Sequence, residues 1–172
     1  MEKDNQLFLL TRKLTKEKKT EVPEYIAYTD GGYCVGRDEG AYAYILLKKG
    51  RIISKDAVKL SDETSNRMEL HAVIAAVGQV PDGSEVLIVS DSRYAIGALS
   101  GQFLFHENRN ADLIQKWWNT VKERKIRAEF KWVRAHSGNK YNEMCDQMCV
   151  DAVGYTLDPE QDSEYPVDNQ ED

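Results

Sequence analysis

The chain has 172 residues, 41% hydrophobic and 30% charged, with a formal net charge of −6. That length supports one domain with a sizeable core plus tails, and it is too short for two domains of ordinary size. No apolar run approaches the ~20 residues needed to cross a bilayer, so neither a membrane-spanning class nor a membrane partner is expected.

The negative charge does not exclude a polyanionic ligand, because it is unevenly placed. Residues 155–172 carry seven acids and no bases, and residues 1–23 carry six bases and four acids, which leaves 24–154 at −1. A nearly neutral body can still present a locally basic face. Three cysteines, Cys34, Cys145 and Cys149, are an odd number, and two of them lie four apart in a predicted helix. They read as reduced, small core residues; a metal site of Cys145, Cys149 and His136 would have only three ligands at irregular spacing and is set aside.

Residues 1–23 combine the apolar run Leu7-Phe8-Leu9-Leu10 with the bases Arg12, Lys13, Lys16, Lys18 and Lys19. They read as a leader or an accessory strand. Because Thr11-Arg12-Lys13 breaks the apolar run at once, it does not form a secretory signal, and the cytoplasm is the expected location. Tyr25 to Tyr28 has the β-branched and aromatic character of a strand, so Asp30 is expected at a strand terminus, followed by Gly31 and Gly32. A loop over Tyr33 to Gly40, a strand over Ala41 to Leu47, a tight turn at Lys49-Gly50 and a strand over Arg51 to Leu60 complete an antiparallel meander.

From Thr64 the period changes. Leu70, Val73, Ile74 and Val77 mark one stripe of a helix of about four turns, capped by Thr64 or Ser65 and stopped by Pro81-Asp82-Gly83. Glu85 to Val89 is almost wholly apolar, as in a strand covered on both faces, and it ends at Ser90-Asp91-Ser92. A short helix is expected over Ser92 to Leu99, then a loop with Phe103, Phe105, His106 and Arg109, then a helix from Asn110 whose Leu113, Ile114, Trp117 and Val121 share a face. Arg127 to Val133 alternates as a strand, with Ala128, Phe130 and Trp132 on one side. The loop Ala135 to Asn139 leads to a last helix capped by Asn142, with Cys145, Met148, Cys149 and Ala152 inward. Residues 155–172, acidic and containing Pro159 and Pro166, are expected to be disordered.

Three carboxylates, Asp30, Asp91 and Asp146, fall at strand ends or a helix start, and Glu69 sits on the border of a buried stripe. Singly, each has an ordinary reading: a turn residue, a dipole-compensating charge, a side chain reaching solvent. Together they make physical sense chiefly around cations, since converging carboxylates repel and raise one another's pKa. All-oxygen ligands favour Mg²⁺ or Mn²⁺, and two ions about 4 Å apart can activate water and stabilise the leaving oxygen of a phosphodiester.

Four motifs, T-D-G-G at Thr29 to Gly32, T-S-N-R-M-E-L at Thr64 to Leu70, S-D-S at Ser90 to Ser92, and W-V-R-A-H-S-G-N-K-Y-N-E-M-C-D from Trp132 to Asp146, stand together in one chain. In order and spacing this set resembles the type 1 ribonuclease H (ribonuclease HI) family, over about residues 24–154. The resemblance implies a mixed α/β ribonuclease H-like fold with a five-stranded sheet in the order 3-2-1-4-5, flanked by helices. It implies a hydrolase, an endonuclease that cuts the RNA strand of RNA/DNA hybrids, with a catalytic domain spanning 24–154 between the leader 1–23 and the acidic tail 155–172. Asp30, Glu69, Asp91 and Asp146 are the implied ligands of two Mg²⁺ ions, with Mn²⁺ as a substitute, and His136 is the implied proton-handling or product-releasing histidine, on a loop that Gly138 can make mobile. Ser65 and Asn66 match minor-groove readers, Thr64 and Asn110 match residues that hold a DNA-strand phosphate, and Gly31 and Gly32 would let the RNA backbone approach closely. A monomer is expected. The alternative carried alongside is a non-catalytic module of the same fold that binds hybrid or double-stranded RNA. Three departures from the family pattern stand out: the short, scarcely basic stretch Gly101 to Arg109, where better-known bacterial members have a basic protrusion; Arg93, where an uncharged polar residue is common; and Ser65, where Asn is common.

Overall fold

The structure, a computed structural model, describes residues 22–102 and 109–155. The expectations for the leader, for Phe103, Phe105 and His106, and for the acidic tail lie outside the described residues.

Three strands, β1 (Tyr25–Cys34), β2 (Glu39–Lys48) and β3 (Arg51–Leu60), form the antiparallel meander. Lys49 (φ 48°) and Gly50 (φ 78°) are both left-handed, as the mirror-image turn of a two-residue hairpin requires. β4 (Glu85–Ser90) pairs parallel with β1, and β5 (Arg127–Trp132) pairs parallel with β4, so the sheet order is β3-β2-β1-β4-β5. Four α-helices accompany it: α1 (Ser65–Val77), α2 (Arg93–Leu99), α3 (Ala111–Glu123) and α4 (Lys140–Val153).

Alternation along β2 divides the core into two layers. Tyr44 and Leu46 join Leu70, Val73, Val77, Ile88, Ile114 and Trp117 on the side of α1, α2 and α3. Ala43, Ile45 and Leu47 face Cys145 and Cys149 of α4 on the other. Trp117 is 2% exposed and donates its indole N–H to the Leu99 carbonyl at 3.0 Å, whereas Trp118 is 41% exposed.

Four expectations are corrected in detail. β1 does not stop before Asp30 but runs to Cys34, because its antiparallel pairing with β2 continues to Cys34↔Glu39; a 3-10 turn at Val35–Arg37 replaces most of the anticipated loop. α1 ends at Val77, short of the proline, where the Arg124 guanidinium takes up the Val77 carbonyl at 3.1 Å and also that of Val80. Trp132 leaves the core and is 41% exposed, although Ala128 and Phe130 pack against it. The last helix is capped by Asn139, whose Oδ1 accepts from the Asn142 N–H at 3.0 Å; the Asn142 side chain is buried instead.

Candidate active site

The parallel ladder of β1 and β4 ends at Thr29↔Ser90, and the next residue on each chain is a carboxylate, Asp30 or Asp91. The strand terminus expected at Asp30 is thus the terminus of the parallel pairing only. Glu69 arrives from α1. A Cβ on Gly31 would lie 2.6 Å from the Met68 carbonyl carbon and 2.8 Å from the Glu69 nitrogen. The missing side chain therefore lets α1 settle against β1 and carry Glu69 to Asp30. One oxygen from each of Asp30, Glu69 and Asp91 lies within 4.8 Å of the other two.

The neighbours leave the set short of protein donors. Asp30 Oδ1 accepts from the Gly31 N–H at 2.9 Å, and Asp91 Oδ2 accepts from Asn142 Nδ2 at 3.3 Å. Glu69 Oε2 is buried with no hydrogen-bond partner. Burial, then the charges of Asp91 and Asp146, hold the Asp30 carboxyl well above the usual range. Burial, then Asp30 and Asp91, do the same to Glu69. Asp91 is raised by burial, while Asn142 works the other way. An orphaned buried oxygen inside an all-oxygen acidic set fits a hard divalent cation, which would complete the missing coordination and remove the repulsion.

The raised carboxyls make a testable statement about stability. A group whose folded pKa lies above its unfolded value contributes stability at acid pH that is lost as pH climbs through the folded pKa. In chelator, the melting temperature should fall as pH rises from the acid range to neutrality, and Glu69→Gln should melt higher than wild type at neutral pH. Relieving one uncompensated buried polar group is worth about 1–3 kcal/mol, or roughly 2–4 °C per kcal/mol at this chain length. Divalent cations should raise the wild-type melting temperature and the variant's much less. A Glu69→Gln protein that melts lower in chelator and still responds fully to cations would refute the shared site.

The RNase H family model matches residues 23–154. The chain belongs to the RNase H family. It is 31% identical over 140 residues to the Ribonuclease HI of Synechocystis sp., covering 73% of this chain and 84% of that one. It is 35% identical over 149 residues to the Ribonuclease H of Trichodesmium erythraeum (79% and 90% covered) and 33% identical over 146 residues to that of Syntrophomonas wolfei (76% and 96% covered).

Asp146, half-buried on α4, does not join the 4.8 Å set but acts on Asp30 and Asp91 through its charge. His136 is exposed, with a left-handed backbone (φ 53°), and its charge bears on Asp91. Its loop is tied by Ser137 Oγ donating to the Arg134 carbonyl at 2.5 Å and by the Gly138 N–H donating to Glu143 Oε1 at 3.1 Å. Thr64 caps α1, its Oγ1 accepting from the Arg67 N–H at 3.2 Å. Ser65, one turn before Glu69, has a buried hydroxyl without a partner, and Asn66 is half-buried beside it. Asn110 stands at the start of α3 with Nδ2 donating to the Tyr94 hydroxyl at 2.7 Å. Arg67 joins these two segments, donating to Asp112 Oδ1 and Oδ2 at 2.8 and 2.9 Å and to Glu63 at 2.6 Å. Gly32 lies in β1, paired with Ala41.

Sequence reasoning missed two supports of the site. Asn142 holds the Asp91 carboxylate, and the Trp132 indole N–H donates to the Asp91 carbonyl at 3.0 Å. Beneath it, the thiols of Cys145 and Cys149 point to the carbonyls of Tyr28 and Asp30 at 3.4 and 3.8 Å, and burial pushes both thiols up, so they are inert packing residues.

Proposed function

We propose that this RNase H family chain is a metal-dependent endonuclease that hydrolyses the RNA strand of RNA/DNA hybrids, leaving 5'-phosphate and 3'-hydroxyl ends. The observation that carries the reading is the set of Asp30, Glu69 and Asp91 oxygens within 4.8 Å, one buried oxygen of Glu69 lacking any partner. Asp30, Glu69 and Asp91 would hold one divalent ion, and Asp146, on the more open side, would share a second with Asp30 or Asp91. Mg²⁺ is the natural occupant and Mn²⁺ a substitute. Bound there, such ions supply Lewis acidity that activates the attacking water and neutralises charge on the scissile phosphate and its leaving oxygen.

The protein's own residues do the rest. Asn142 and the Trp132 indole fix both ends of Asp91, so its carboxylate is presented in one orientation. His136, in an exposed loop beside Asp91, can take or deliver a proton as the cut strand leaves. Asn66 and, once its buried hydroxyl turns outward, Ser65 meet the minor groove, where hybrid is told apart by its shape and 2'-hydroxyls, and Thr64 and Asn110 take a phosphate of the DNA strand. Gly31 and Gly32 leave room for the RNA backbone over Asp30. The catalytic unit is 24–154, with 1–23 as a leader and 155–172 as an acidic tail, and it works as a monomer in the cytoplasm. No helix among the described residues is long and apolar enough to cross a membrane.

The test is a hybrid labelled separately on each strand and incubated with Mg²⁺. The RNA strand should be cut internally with the DNA intact, and chelator should stop the reaction. Tight hybrid binding without turnover in Mg²⁺ or Mn²⁺ would establish the binding-module alternative instead.

A further inference from the structure

An exposed arginine stands close to the carboxylate centre. Arg93 follows Asp91 by two residues, and its guanidinium lies over the Trp132 ring, 4.3 Å from the centroid. Trp132 is itself fixed, because its indole N–H donates to the Asp91 carbonyl. Arg67, by contrast, is spent within the fold on Glu63 and Asp112. Arg93 forms no ion pair with a carboxylate among the described residues, and it is exposed. With Ile96, Gln102 and Trp132 it lines a solvent-open notch of about 270 Å³.

The geometry is that of a prepared anion contact. Stacking on the indole occupies the flat face of the guanidinium and restricts its long side chain, while the donor edge stays available to a ligand. A guanidinium pre-ordered in this way loses less entropy on binding than a free one, and its fork matches phosphate oxygens. Because the same tryptophan anchors Asp91, an anion in the notch and a phosphodiester at the carboxylates are held in fixed relation. We propose that Arg93, seated on Trp132, binds a backbone phosphate of the strand being cut, next to the scissile linkage. This rests on the nuclease reading. The contact also supplies positive charge on a domain whose Gly101 to Arg109 stretch has little of it.

Equilibrium binding of a fluorescently labelled RNA/DNA hybrid to the full chain, in chelator over a potassium chloride series, tests the contact. Losing one phosphate contact should lower the slope of log affinity against log salt by about 1 in Arg93→Gln, with a several-fold loss of affinity at low salt. Arg93→Lys should restore most of the slope, a recovery that a merely structural role would not produce. Equal slopes for wild type and Arg93→Gln would overturn the subsite. The two readings fail separately: wild-type protein that cuts hybrid while the slopes agree defeats only the phosphate contact, whereas wild-type protein that cuts no hybrid defeats the nuclease reading on which it rests.

Discussion

Asp91→Asn should lower the rate of hybrid cleavage at saturating Mg²⁺ by about a thousand-fold or more, equivalent to ~4 kcal/mol of lost transition-state stabilisation. The change is nearly isosteric, and the Asn142 amide can still donate to the remaining carbonyl oxygen, so the local fold is preserved. What disappears is one of three negative charges whose oxygens converge within 4.8 Å. Asp30 should also feel the change, because Asp91 is the largest charge acting to raise its carboxyl. Without metal the variant should therefore melt no lower than wild type, which separates lost catalysis from lost folding. Cleavage within tenfold of wild type would show that Asp91 holds no catalytic ion.

The second large effect is expected at a residue with no functional group. In Gly31→Ala the new methyl would sit 2.6 Å from the Met68 carbonyl carbon, 2.8 Å from the Glu69 nitrogen and 2.9 Å from the Met68 oxygen, all backbone atoms. Backbone cannot rotate out of the way as a side chain can, so α1 must retreat from β1. Overpacking of this kind costs about 1–3 kcal/mol, which at roughly 2–4 °C per kcal/mol is a clear drop in melting temperature. The same retreat withdraws Glu69 from Asp30, and a misplacement of about 1 Å at a catalytic group can cost on the order of a hundred-fold in rate. Gly36→Ala is the control, since nothing lies within 4 Å of the position its methyl would take. It should leave both quantities unchanged. A Gly31→Ala protein with wild-type melting and activity would mean that the approach of α1 to β1 does not set the site.

The fold was legible where the chain's periodicity is simple. The apolar runs of β2 and β4 and the helical stripe of α1 all appear where the residues indicate, and the motif resemblance supplied the strand order that periodicity alone could not. The reading was weaker where backbone pairing or a three-residue ambiguity decides. Gly31 and Gly32 read as a turn, yet β2 pairs with them in register and the strand continues to Cys34. Asn139 and Asn142 are both good capping residues, and only the packing of α4 against the sheet shows that Asn139 caps while Asn142 turns inward to Asp91. Gly31 has a second reason that its motif does not show: besides leaving room for substrate, its lack of a side chain is required by the approach of α1. Trp132 fell on the inward face of an alternating strand, and nothing in the strand pattern marks it as the exposed anchor of both Asp91 and Arg93.

If the carboxylate cluster catalyses through bound divalent ions, those ions touch the scissile phosphate. The most direct measurement uses a hybrid in which one RNA linkage carries sulfur in place of a non-bridging phosphate oxygen. Sulfur is a poor ligand for Mg²⁺ and a better one for Mn²⁺. Cleavage at that linkage should fall sharply in Mg²⁺ and recover in Mn²⁺, relative to the all-oxygen linkage measured with each ion. Equal ratios of sulfur to oxygen rates in both ions, for each of the two stereoisomers, would contradict it.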